Sequence, residues 1–514
     1  MSYIDELPSD EESCFYAEHL EFRLAPATPA TPDGHTPPSP TPAIDDDALA
    51  LLLPRCPNLT SAVLSGVPDL SSRTLHVLAA SCAHLARLDL SHCASPALTD
   101  LGLHALAAQA LPLTALGVSR VLGLTDGGLA RAVRGLPHLA ELEMDGLPLV
   151  TAVAVRDIWT FARGLRRWSL AGCVQLTDSA FPWVPESDWL RSSVGLEEEV
   201  PGASHSQQEG GSGGGDVPAA EARVQAQARG SREGSSGLSF GPPVVTSSPR
   251  AVRIRPKTWL ESLPPLILPG THKLNELREL DLGHCVRLTD AAILGVVAYA
   301  PRIHHLSLAG CIELTDRAMH AVSNLAGLTA LDIAGLERVT DEGAFAVASS
   351  CRRLRVIDIS FIPNLSDLVV LELASLPGLQ RLGAAGLPRL TDNALCFLAE
   401  HASELEALHL PYCIRLTLDG VRTILRRLAT GNTGKLEELS LTGVPALRRR
   451  GIRRFSERPP EGYDERKEGA YREFRAGNVR ALGAFLEKEE WRRREAERMN
   501  IPFVPRGDDS RALY

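Results

Sequence analysis

The sequence predicts an α/β solenoid: a horseshoe of stacked strand–turn–helix units with a parallel inner sheet and outer helices. Three observations predict it. First, Leu280, Leu282, Cys285, Leu288, Thr289 and Asp290 return twenty-six residues later as Leu306, Leu308, Cys311, Leu314, Thr315 and Asp316, and a fixed period of that length marks stacked supersecondary units. Second, the later apolar residue of each strand phrase forms a series: Leu64, Leu90, Val118, Met144, Leu170, Leu282, Leu308, Ile333, Ile359, Ala384, Leu410 and Leu441. Its steps are 25 to 28 residues, apart from one of 112 after Leu170 and one of 31 before Leu441. Third, the 514 residues are 44% apolar but only 5% aromatic, as expected of a core built from repeated Leu, Ala and Val.

The elements follow in order. Residues 1–25 read as an N-terminal strand and cap, because Leu20, Phe22 and Leu24 alternate with period two. Residues 26–43 are a Pro-rich loop, expected to be disordered, since proline supplies no donor to a sheet. It holds Thr28, Thr31, Thr36, Ser39 and Thr41, each before Pro; they read either as targets of proline-directed kinases or as parts of a plain spacer. The first half of the solenoid covers 44–190. The Gly/Ser-rich stretch 191–255 is too polar to bury a core and is expected to be a disordered insert, which accounts for the long step. The second half covers 256–455, and near its start Trp259, Leu260 and Leu263 are expected to dock back on the solenoid. Residues 456–514 form a C-terminal helical cap and basic tail.

Within each unit the LxxLxL phrase alternates as a strand, and the apolar spacing of three and four after the Thr-Asp pair is helical. The Asp or Ser of that pair is placed to cap the helix that follows. Twelve such strands, about 4.8 Å apart, give an inner surface of about 50 to 60 Å. Cys93, Cys173, Cys285, Cys311 and Cys413 share one column, and Cys56, Cys82 and Cys351 another. Both columns read as ladders of small buried groups bearing reduced thiols. His92 and His284 precede the first column and are expected to cap turns. His304 and His305, adjacent on a strand, point to opposite faces and do not chelate one metal.

Charge and motifs narrow the function classes. The net charge of −10 argues against a general nucleic-acid or anionic-membrane surface. The tail runs the other way, with 16 basic against 11 acidic residues between Arg448 and Asn500. No apolar run is long enough for a membrane span, and the acidic start "MSYIDELPSDEES" does not read as a secretory signal. These features lead to the expectation that the chain is made and kept in the cytoplasm or nucleus. No CxxC or CxxH pair, phosphate loop, nucleophile triad or paired-carboxylate site is present, so neither a cofactor, a metal nor an enzyme is expected.

Binding is expected on the concave face, where residues between the paired apolars of each strand point. That column reads Asp89, Gly117, Glu143, Ser169, Asp281, Ser307, Asp332, Asp358, Gly383, His409 and Ser440. Five of these are acidic and none is Lys or Arg. Flanking positions add Arg87, Glu141, Asp145, Arg167, Glu279, His305 and Arg381. Such a face attracts a partner with a basic segment and repels a phosphorylated one. A purely local role for Asp in the "LDL" phrases stands beside that reading.

The spacing CxxLxxLxLxxCxxLTDxxLxxL resembles the cysteine-containing leucine-rich repeat of F-box/leucine-rich-repeat proteins, the substrate receptors of SCF-type ubiquitin ligases. The stretch from Val444 to Leu486, with Val444-Pro445-Ala446-Leu447, Phe455, Pro459-Pro460, Phe474, Gly477, Val479 and Leu482, is similar to the segment closing the solenoid in the fungal receptor of the glucose-repression-resistance type. Where that family tends to have Cys after the first Phe, this chain has Ser456. The segment "DELPSDEESCFYAEHL" does not fit an F-box. The resemblance therefore implies substrate-style protein binding in ubiquitin-dependent turnover, with any link to SCF components supplied by a partner or by sequence upstream. The alternatives are a scaffold or inhibitor without a ligase connection and, more weakly, RNA binding through Arg448–Arg454.

Overall fold

The computed structural model describes residues 15–22, 46–67, 69–185, 263–429, 435–448, 450–460, 463 and 468–505. Fourteen three-residue strands form one sheet in sequence order. They are β1 (His19–Glu21), β2 (Ser61–Val63), β3 (Arg87–Asp89), β4 (Ala115–Gly117), β5 (Glu141–Glu143), β6 (Arg167–Ser169) and β7 (Glu279–Asp281). Then follow β8 (His305–Ser307), β9 (Ala330–Asp332), β10 (Val356–Asp358), β11 (Arg381–Gly383), β12 (Ala407–His409), β13 (Glu438–Ser440) and β14 (Glu473–Arg475). All neighbours from β1 to β13 pair in parallel, so the chain is a leucine-rich-repeat solenoid of the predicted α/β class. β1 supplies the unit centred on Leu20. β14 pairs antiparallel to β13, a closing strand within a stretch expected to be helical, and the helix Gly477–Arg498 follows it.

The sheet is continuous across the long step. Arg167, Trp168 and Ser169 pair directly with Glu279, Leu280 and Asp281. Among the described residues, the unit of β6 has a 3-10 turn, Asp178–Ala180, which Pro182 and Pro185 follow too closely for it to continue as a helix there. Pro182 instead bridges Leu266, and Trp183 N donates to Leu266 O at 2.8 Å. Leu263 packs against the core as expected. Trp259, Leu260, the Pro-rich loop and the insert of 191–255 lie outside the described residues. Because both ends of 186–262 are pinned at one bridge, replacing it with a short Gly/Ser linker should not lower the melting temperature. At most it should raise stability by about 2 kcal/mol, from the shorter loop closed on folding. Calorimetry checks this, and a lower melting temperature would show that the removed segment supports the solenoid.

The Thr-Asp pair does more than cap its own helix. Thr or Ser is the N-cap: the Thr340 hydroxyl, for example, accepts from Glu342 N at 3.3 Å. Asp, one residue later, instead reaches the next unit's chain. Thr340 N and Oγ1 donate to the two carboxylate oxygens of Asp316 at 2.8 and 2.7 Å. The same pair of bonds joins Thr125 to Asp100, Thr151 to Asp126, Thr315 to Asp290, Ser366 to Asp341, Thr391 to Asp367 and Thr417 to Asp392. It also spans the long step, from Thr289 to Asp178. This corrects the expectation that Asp is the cap: a carboxylate accepts two donors at once and ties each helix start to the one before. Gly343 leaves room for it, since a Cβ there would lie 2.4 Å from Asp316 Oδ1. The ladder is interrupted at Ala152, which takes the Asp position after Thr151, and ends where Leu418 replaces Asp.

The thiols of Cys93, Cys173, Cys285, Cys311 and Cys413 each donate to the carbonyl of the preceding unit's last strand-phrase apolar residue, at 3.1 to 3.3 Å. All five are buried and free. Burial pushes the Cys173 thiol up to about 11 and the Cys311 thiol up to about 12, which suppresses the nucleophilic thiolate. His92 and His284 do not cap turns through their rings. They occupy the left-handed turn position, with φ of 64° and 59°, and donate their amides to Ser119 O and Ala309 O.

Candidate functional site, the concave face

Parallel register fixes what lies beside what. The central residue of each strand is buried, so the first and third residues stand on the concave face in two rows. The third-position row runs Asp89, Gly117, Glu143, Ser169, Asp281, Ser307, Asp332, Asp358, Gly383, His409. The first-position row runs Arg87, Ala115, Glu141, Arg167, Glu279, His305, Ala330, Val356, Arg381, Ala407 over the same strands.

A groove of about 700 Å³ over β5 to β10 gathers eight of the predicted residues: Glu143, Asp145, Arg167, Glu279, Asp281, His305, Asp332 and Asp358. Arg87, Asp89, Glu141, Arg381 and His409 lie on the same face outside it. Arg87 reaches over Ala115 to Glu141 at 3.0 Å. Arg167 holds Glu279 with two bonds, at 2.6 and 3.2 Å, and His305 Nδ1 lies 3.8 Å from the same carboxylate. The Arg167 guanidinium keeps the Glu279 carboxyl below its usual range. His409 lies 3.8 Å from Glu438, which also pairs with Arg475 at 3.2 Å. Arg381 is exposed.

The aspartates of the "LDL" phrases have a local task. Oδ1 of Asp89, Asp281, Asp332 and Asp358 accepts the amide two residues on, at 2.8 to 3.0 Å. Asp145 is similarly engaged, by Ala171 N at 2.9 Å and by the Ser169 and Ser119 hydroxyls. Their charges nonetheless share one concave surface. Burial raises the Glu143 carboxyl, and Asp89 and Asp145 add to the rise. Burial also raises Asp332, with a further contribution from Asp358 on the adjacent strand. Carboxylates that repel one another in this way are stabilised by an incoming cation.

Sequence reasoning missed the apolar floor beside the acids. Ala330 and half-exposed Val356 line the groove next to Asp332 and Asp358. Their first-position place in the repeat was the available signal. Glu438 was missed too, because its histidine and arginine partners come from β12 and from the antiparallel β14. Among the described residues, no group of three His, Cys, Asp or Glu could hold a metal ion, and no helix is long and apolar enough to cross a membrane.

The basic tail presents a different picture. Arg493 and Arg494 pair with Glu490, Arg492 with Glu489 and Arg498 with Glu495, all within one helix. Hydrogen bonds from Arg493, Arg422 and Arg494 bring the Glu490 carboxyl down to about 2 against the opposing effect of burial, and Arg422 ties this helix to the solenoid at 2.8 Å.

No protein-family model matches the chain. A curated relative, antagonist of mitotic exit network protein 1 of Eremothecium gossypii, is 32% identical over 126 residues, covering 23% of this chain and 32% of the relative. The chain thus matches about a third of that relative's length. Similar solved structures include a chain of the Rad7 and Elc1 complex of yeast, at 14% identity and a TM-score of 0.39, covering 73% of this chain and 81% of that one. An internalin from Listeria monocytogenes gives 14% identity and a TM-score of 0.38, covering 77% and 83%.

Proposed function

We propose that the solenoid is a non-catalytic, protein-binding receptor of the cytoplasm or nucleus that holds a basic segment of its partner in the concave groove over β5 to β10. The observation that carries this reading is the register of Glu143, Asp281, Asp332 and Asp358 along one groove beside the apolar Ala330 and Val356. That combination suits the aliphatic stem and cationic head of Lys or Arg. Free, buried thiols suit a reducing compartment.

The finer reading is that the partner is a substrate delivered for ubiquitination, as the resemblance to F-box/leucine-rich-repeat receptors implies. A second reading, a scaffold or inhibitor that occupies its partner, draws support from the name of the relative in Eremothecium gossypii, an antagonist. Co-purification of a cullin adaptor with the full chain separates the two.

The groove itself is tested by neutralising it without breaking its turns. Asn and Gln keep an oxygen for the local amide bonds and remove the charge, so Glu143→Gln, Asp281→Asn, Asp332→Asn and Asp358→Asn are combined. Binding of a fluorescent Lys/Arg-rich peptide is expected to weaken about tenfold or more and to lose most of its salt dependence. Unchanged affinity in a variant with an unchanged melting temperature would dismiss the groove as the binding site.

A further inference from the structure

The turn after each strand passes through one left-handed residue. Seven of these positions hold glycine, Gly66, Gly146, Gly172, Gly310, Gly335, Gly386 and Gly443, and three hold His92, Arg120 and His284. Phe361 and Tyr412 hold the same conformation at φ of 59° and 61°, which bulky aromatic residues rarely adopt. Neither gains burial in exchange, for the rings are 55% and 49% exposed. Each ring lies against the next unit's glycine: a Cβ on Gly386 would meet Phe361 at 2.5 Å, and one on Gly443 would meet Tyr412 at 2.4 Å. Backbone strain held at an exposed aromatic points to function rather than folding.

The neighbours give the surface its chemistry. Ile414 is 63% exposed, and Pro363 and Pro388 are exposed beside it. Arg389 and Arg415 are exposed on the same turns, Arg389 donating one bond to Asn364 O at 3.2 Å. The segments 359–366, 384–391 and 410–417 contain no Asp or Glu of their own, and the nearby carboxylates of Asp341, Asp367 and Asp392 are each engaged by the Ser or Thr that ends a segment. The patch is thus apolar and carries two exposed guanidinium groups on a chain whose net charge is negative.

We infer that the turns following β10, β11 and β12 dock an acidic, proline-containing segment of a partner protein in the extended polyproline conformation. Phe361 and Tyr412 are two units apart, about 10 Å at the strand spacing. A polyproline helix returns to the same face every third residue, about 9.3 Å on, so its prolines reach both rings while intervening carboxylates meet Arg389 and Arg415. A nucleic acid fits less well, because a polyanion would pass close to the acidic concave face.

The test is selection from a random-peptide display library on the full chain, followed by anisotropy with the selected peptides. Enrichment of peptides with prolines three residues apart and flanking Asp or Glu is expected. Their affinity should fall about tenfold or more in Phe361→Gly/Tyr412→Gly and in Arg389→Glu/Arg415→Glu. The glycine variant should melt no lower than the parent, since it relieves the strained turns. The concave amide variant should bind these peptides normally, so this inference and the groove reading fail separately. Enrichment of basic peptides, affinity unmoved by the glycine pair, a glycine variant that melts lower without losing affinity, or competition by a single-stranded oligonucleotide would each overturn it.

Discussion

Trp168→Ala is expected to lower stability by about 3 to 5 kcal/mol, the largest single-site loss in the described solenoid. Trp168 takes the central strand position that Leu142 and Leu280 hold on the neighbouring strands, and it is fully buried. Its ring lies edge-on to Trp159 at 5.6 Å, and Trp159 meets Phe181 at 6.3 Å. These three rings fill the volume left where the unit of β6 has a single 3-10 turn instead of a helix. Because units in a solenoid support only their neighbours, the damage should concentrate at this junction. Denaturant unfolding should show a lower midpoint and a broadened or split transition. A loss under about 1 kcal/mol would show that neighbouring side chains collapse into the space.

Asp316→Ala is expected to cost about 2 to 4 kcal/mol, because it removes two charge-assisted bonds and leaves the Thr340 amide without its acceptor. Asp316→Asn should cost less than half as much, since the amide oxygen can still accept from Thr340 N while its NH2 donates to the hydroxyl. Equilibrium unfolding of the two variants checks the order. Equal losses would mean that side-chain shape, not bonding between units, sets the requirement.

The strand and helix layers were legible because each residue class recurs at one offset. Leu at the strand centres, Cys after them and Thr before the helices repeat often enough that periodicity identifies the buried positions. The concave rows follow from the same alternation, which by itself assigns Asp281, Asp332 and Asp358 to one face. Glu438 and Val356 were not, since their neighbours depend on how adjacent units and the closing strand meet. Directly after β6 the described chain makes a 3-10 turn where Pro182 and Pro185 override the repeat. The strained rings of Phe361 and Tyr412 gave no periodic signal, because most units have glycine there.

By itself the sequence determined the solenoid, its layers and the acidity of the inner rows, since each depends only on where a side chain falls within one repeating unit. Tertiary structure alone decided that the Thr-Asp carboxylates bond between units, that β6 joins β7 directly and that Arg167 engages Glu279. Those are contacts between units, and their geometry is set by stacking, which no single repeat encodes.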